Sequence, residues 1–143
     1  MVRRMTGLAI NEADADQAQE LGDRLVAFNA ARAGDEGYRH ILLALNDGGR
    51  LRGGVVAYTS WNVLVIDVLW VDEDLRGQGH GDRLLAEAER RGVEMGCTQA
   101  VLDTFSFQAE SFYAARGYRA FGRADDFPTG HHRAYMAKPL PRE

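Results

Sequence analysis

Cysteine is nearly absent from this 143-residue chain: Cys97 stands alone and cannot form an internal disulfide. A reducing, cytoplasmic setting is the simplest reading of that usage. Proline is scarce too. Pro128, Pro139 and Pro141 all fall near the C-terminus, leaving the body of the chain free to form regular elements. No apolar run approaches the roughly eighteen residues of a membrane-spanning helix, which argues against a membrane partner. The longest, Val63–Ile66 resumed past Asp67 by Val68–Val71, has the length of a buried strand. Thr6–Ile10 is too short for the apolar stretch of a signal peptide. An excess of positive charge is also missing. Seventeen Lys and Arg against 21 Asp and Glu leave a net charge of −4, which argues against a nucleic-acid partner. What remains is 45% hydrophobic and 27% charged, the balance of a soluble globular chain, and the length fits one domain over residues 1–143.

The chain carries no internal repeat, and its patterning is regular. Thr6–Ile10 reads as a short first strand. A helix follows, capped by Asn11 or Asp14, with Ala18, Leu21, Leu25 and Phe28 on one face and Gly34 as its stop. Tyr38–Leu45 and Leu51–Ser60 read as strands joined by Asn46, Asp47, Gly48 and Gly49, a turn signal that calls for positive φ. Val63–Val71 reads as a central strand covered on both faces. The period then changes to helical from about Gly79 to Met95, with Leu84, Leu85 and Ala88 in phase. A strand over Gln99–Phe105, a short helix over Ala109–Arg116 and two closing strands, Tyr118–Arg123 and Arg133–Lys138, complete the order. Hairpins plus a helical crossover imply a mixed α/β sheet.

The most informative segment joins the apolar strand ending at Val71 to the helix after Gly79. Between them stand Arg76, Gly77, Gln78, Gly79, His80 and Gly81. Three alternating glycines opening into a helix make an anion cradle: the first helical N–H groups lack internal partners, the dipole is positive there, and missing side chains admit a phosphate. A P-loop would carry Lys-Ser or Lys-Thr after the last glycine, where this chain has Asp82 and Arg83. A dinucleotide fingerprint has a different spacing and opens a repeated βαβ fold. A glycine-rich turn chosen only for tight packing is the plain alternative.

Arg76, Gly79 and Gly81 at these spacings resemble the coenzyme A pyrophosphate loop of the GNAT superfamily, the Gcn5-related N-acetyltransferases. A second segment resembles the family's other signature: Ser106, Ala109, Phe112 and Tyr113, then Gly117 and Tyr118. Many members carry asparagine where this chain has Ser106. Asp67–Val71, Asp103–Ala109 and Asp126–Arg133 are similar to a bacterial branch of the family. The resemblance implies a GNAT-like fold of about six to seven strands in a mostly antiparallel sheet, with a splayed parallel pair and three to four flanking helices. It implies acetyl-coenzyme A (acetyl-CoA) as co-substrate, an amine as acceptor, and direct transfer in a ternary complex. It leaves a homodimer open.

By the same resemblance, Ile66–Val71 splays from Ala100–Phe105, and backbone groups near Leu69, Trp70 and Val71 take the pantetheine arm as an added strand would. Tyr113 is the implied general acid; as a plain residue it is a core aromatic beside Phe112. Asp67 is the leading base, because a carboxylate inside an apolar strand is costly unless used or paired. A structural hydrogen bond explains it equally, and Asp103, His131, His132 or a chain of water are the competing bases. The acceptor groove is expected beside Trp61, Asp103, Phe105 and His131, although Trp61 and Trp70 also suit the core or an interface. Cys97, at a helix end without an activating base, does not read as a nucleophile. No His, Cys or acidic spacing reads as a metal site. A non-catalytic acyl-CoA-binding module would keep the glycine loop but have no use for Tyr113 or Asp67.

Overall fold

The computed structural model describes residues 7–142. These divide at Glu36/Gly37 into two compact units. The first holds helix α1, Ala15–Ala33. Asp14 starts it with a full capping box: its carboxylate accepts from Gln17 N–H at 2.8 Å, and the Gln17 side chain accepts from Asp14 N–H at 3.1 Å. Gly34, at φ 81°, ends it. Its stripe of Leu21, Leu25 and Phe28 is exposed. The strand expected over Thr6–Ile10 does not form over residues 7–10, which are irregular with Leu8 and Ile10 exposed; Thr6 lies outside the described residues.

The second unit is a six-stranded sheet with two helices. In chain order it runs β1 (Arg39–Asp47), β2 (Arg50–Ser60), β3 (Val63–Val71), α2 (His80–Glu94), β4 (Gln99–Phe105), α3 (Glu110–Ala114), β5 (Arg119–Asp125) and β6 (His132–Pro139). The spatial order is β1-β2-β3-β4-β6-β5, antiparallel throughout except for the β3–β4 pair. Asp47 pairs with Arg50 across Gly48 and Gly49, whose φ values of 57° and 84° suit the primed turn that matches strand twist. β3 and β4 are parallel because α2 carries the chain back across the sheet.

Burial alternates along the strands. Val55, Ala57, Leu64, Ile66, Ala100, Leu102, Ala134 and Met136 form the inner face, closed by Leu84, Leu85 and Ala88 of α2 and by Tyr113 and Tyr118. Gly92 lets α2 settle on the sheet: an added Cβ would lie 3.0 Å from Leu64 Cδ2. The expectation that β3 is covered on both faces is corrected here, since Val68 and Trp70 are 47% and 54% exposed. Among the described residues no helix is long and apolar enough to cross a membrane.

Candidate active site

The sheet is split at its centre. β3 and β4 pair only at Val63–Gln99, Leu64–Ala100 and Val65–Val101. Past that point β3 stays bound to β2 as far as Val71, and β4 to β6 as far as Phe105, so the two strands diverge. Asp67 marks the divergence. Val56 pairs with Val68 and Ala57 with Ile66, leaving Asp67 as the extra residue of a bulge. A bulge bends its strand and increases the local twist.

The phase of β3 beyond the bulge follows from one bond. Asp72 N–H donates to Arg52 C=O on the β2 side at 2.8 Å. Backbone polar groups alternate sides along a strand, so those of Leu69 and Val71 face the gap. One of them is engaged: Arg76 Nε donates to Val71 C=O at 2.9 Å while its guanidinium lies 4.7 Å from the Trp70 ring centroid. Arg76 therefore folds back over the end of β3.

The loop that follows is held from behind. Arg52 on β2 donates to Asp72 at 2.9 Å and to both oxygens of Asp74 at 2.6 Å. Trp70 Nε1–H and Arg52 together hold the Asp72 carboxyl below its ordinary range; Arg52 does the same for Asp74. Gly77 and Gly79 are left-handed, at φ 77° and 87°, which is why side chains are missing there. Gly79 caps α2, and Arg83 N–H is the first to bond back, to Gly79 C=O at 3.1 Å. The amides of His80, Gly81 and Asp82 therefore lack intrahelical partners, and a helix end of this kind can hold an anion. Gly81 is small for another reason: its Cβ would lie 3.4 Å from Phe112 of α3.

That approach sets α3, which carries Tyr113, against the first turn of α2. Tyr113 is 7% exposed, with its ring edge-on to Phe112 and Tyr118 at 5.2 and 5.7 Å. Burial raises its phenol above the ordinary value, so it stays protonated at neutral pH. Its hydroxyl has no hydrogen-bond partner among the described residues, yet no side-chain polar atom there is both buried and unpartnered. The hydroxyl thus opens to space outside the core. Arg116 binds α3 to α2: Nε donates to Asp82 at 2.7 Å, Nη1 to Phe112 C=O at 2.9 Å, and the guanidinium sits 3.7 Å from the Phe112 centroid.

Ser106 is turned elsewhere. Its Oγ accepts from His132 N–H at 3.2 Å and lies 3.3 Å from His131 Nδ1, tying it to the β5–β6 loop. It lines an open 630 Å³ groove along α3 and β5 that contains none of the glycine-loop residues. Asp103 and Phe105, on β4 along the gap, do come together, Asp103 with Arg133 of β6 and Phe105 with Phe127 of the β5–β6 loop. Arg133 donates to Asp103 at 2.6 and 2.9 Å, Phe105 stacks on Phe107 at 5.4 Å, and Phe107 meets His131 at 5.0 Å. Trp61 does not join them. It occupies the β2–β3 turn at φ 51°, at the opposite end of β3 from the glycine loop. Asp67 is exposed, with no ion pair among the described residues, unlike Asp103.

Sequence reasoning missed Arg52, Arg116 and the pairing of His132 with Glu110 at 2.8 Å, which joins β6 to α3. Their carboxylate partners lie 20 or more residues away, so no local spacing signals the pairs. Cys97 is buried and its thiol is raised by desolvation, the opposite of an activated nucleophile.

Comparison with known proteins agrees with this geometry. The Acetyltransferase (GNAT) family matches residues 8–118. The chain is 41% identical over 98 residues to the blasticidin-S acetyltransferase of Streptomyces morookaense, covering 68% of this chain and 72% of that one. It is 33% identical over 127 residues to an acetyltransferase of Agrobacterium fabrum, covering 88% and 93%. A crystal structure of an acetyltransferase from Bacillus cereus superposes with a TM-score of 0.90 at 34% identity, covering 95% of this chain and all of that one. With the split sheet and the glycine loop that opens α2, these likenesses establish that the chain belongs to the GNAT family of acetyltransferases.

Proposed function

We propose that residues 1–143 form one cytoplasmic N-acetyltransferase domain that moves the acetyl group of acetyl-CoA onto a primary amine by direct attack. One observation carries this reading: the gap beyond Val65–Val101 exposes strand backbone beside the helix N-terminus and the buried Tyr113. Backbone at Leu69 and Val71 would bind the pantetheine amides as an added strand does, whereas Trp70, expected to share that role, turns its backbone groups toward Gly54 of β2. The amides from Gly77 to Gly81, with Gln78, His80 and the flanking Arg76, would hold the pyrophosphate. Acetyl-CoA supplies an activated acyl carbon; the chain supplies position and protons. Asp67, the exposed bulge carboxylate, accepts a proton from the attacking amine. Tyr113 gives its phenol proton to the departing sulfur, balancing the charge that the C–S cleavage leaves there. Asp103, Phe105 and His131 line the acceptor's approach, and the relative named for blasticidin-S supports a small-molecule amine in that position.

The test is calorimetric titration with acetyl-CoA, followed by thiol release with a panel of amines that includes blasticidin-S. The native chain binds at micromolar levels, Gly79→Val does not bind, and Tyr113→Phe binds normally while turnover falls by about 10²-fold or more. Absence of binding by the native chain would overturn the proposal.

A further inference from the structure

One cluster beside the gap is already organised around a positive charge. The Arg133 guanidinium lies 5.1 Å from the ring centroid of Phe105, 5.3 Å from Phe127 and 5.6 Å from Tyr135, and it donates twice to Asp103. Three ring faces and a carboxylate around one cation form the arrangement by which aromatic cages hold ammonium and guanidinium groups. Here the cation is the chain's own. The pair is not sealed in, since the Arg133 and Asp103 side chains are 29% and 41% exposed. Phe127 is 42% exposed as well, so the cage opens to solvent.

Its place in the sheet connects it to the proposed acceptor path. Asp103 and Phe105 belong to the stretch of β4 that has no pairing with β3. Continuing the offset of the three β3–β4 pairs places Asp67 level with Asp103, on the other side of the gap. A cationic seat thus flanks the opening on one strand, and an unpaired carboxylate flanks it on the other. An anionic acceptor would find no free charge, because Asp103 already neutralises Arg133. A second cation would find ring faces and a carboxylate in an exchangeable pair.

We infer that Asp103, Phe105, Phe127 and Tyr135 form a cation subsite for the acceptor, with Arg133 as the resident occupant that a cationic acceptor displaces. This rests on the acetyltransferase reading above and narrows its acceptor to small amines bearing a second cationic nitrogen. One nitrogen is acetylated beside Asp67; the other is seated in the cage. Arg133 then sets specificity: an uncharged amine lacking the second cation gains nothing by opening the pair.

The experiment is calorimetry on CoA-saturated protein with two probes of equal chain length, 4-guanidinobutylamine and butylamine. The doubly charged probe binds about tenfold tighter to the native chain. Asp103→Asn and Phe127→Leu erase that ratio, while Arg133→Gln, which removes the competitor, widens it by about fivefold. Melting curves identify any variant that has lost its fold. Equal affinities for the two probes, or an Arg133→Gln chain whose ratio shrinks while its melt is native, overturn the subsite. Failure to bind acetyl-CoA overturns the acetyltransferase reading instead, so the two outcomes separate.

Discussion

Arg116 offers a test of how the short helix that carries Tyr113 is held. α3 has only five residues, far below the length at which a helix persists unaided, so Tyr113 depends on outside contacts for its position. Arg116 makes three at once. The ion pair with Asp82 is partly solvated, the side chains being 29% and 56% exposed, and is worth about 0.5 kcal/mol. The bond to Phe112 C=O contributes about 1 kcal/mol, and the guanidinium on the Phe112 ring about 0.5–1 kcal/mol. Arg116→Ala is therefore expected to lower urea stability by about 2 kcal/mol, against about 0.5 kcal/mol for Asp82→Ala. Turnover should fall in the first variant more than in the second, because the first loosens the helix under Tyr113. A double-mutant cycle between the two positions isolates the ion pair. If both variants cost the same half kilocalorie and turn over alike, Arg116 is an ordinary surface charge and the bracing argument is wrong.

Two further expectations follow from burial and close contact. Desolvation raises the Tyr113 phenol above its unfolded value of about 10, so its contribution to stability is complete below that pH and lost as pH rises through the folded value. Urea midpoints measured from pH 7 to 11 should fall less steeply at the alkaline end for Tyr113→Phe than for the native chain, and an identical fall would refute the assignment. Among the glycines, Gly54→Ala should cost about 3 kcal/mol, because its Cβ would stand 2.4 Å from the Leu43 carbonyl, which is backbone and cannot yield. Gly92→Ala should cost less than about 1 kcal/mol, since the Leu64 side chain can shift and the helix gains propensity; reversal of that order in urea titration would show that the two contacts are misjudged.

Elements written in local patterns could be read before the structure. β4 falls on Gln99–Phe105 as expected, and α2 on His80–Glu94 within a residue of its expected ends. The β1–β2 turn and the Gly34 stop follow from positive φ, which only a few residue types tolerate. The failures have physical causes. Residues 7–10 are apolar enough to read as a strand, but composition cannot say whether a neighbouring strand is there to pair with. β3 looks doubly covered because Val68 and Trp70 are apolar; their exposure follows from the bulge and the gap, which depend on the register of two other strands. The same holds for the site. The glycine loop and Tyr113 announce themselves by spacing, whereas the carboxylates that Arg52, Arg116 and Arg133 pair with lie 20 to 34 positions away. Trp61, expected beside the acceptor groove, lies in the β2–β3 turn at the other end of its strand, a position set by topology and not by local pattern.

The split between β3 and β4 also has a mechanical meaning. It leaves two three-stranded wings, β1-β2-β3 and β4-β6-β5, stitched directly by three residue pairs at one end. The seam can act as a flexure, with α2 and α3 bridging the wings near the open end. A ligand lying along Leu69–Val71 would supply the missing rung and convert the flexure into a continuous plate. Binding should then stiffen regions it never touches, and the amides of β4 and β6 should exchange more slowly in the liganded protein than contact alone would require.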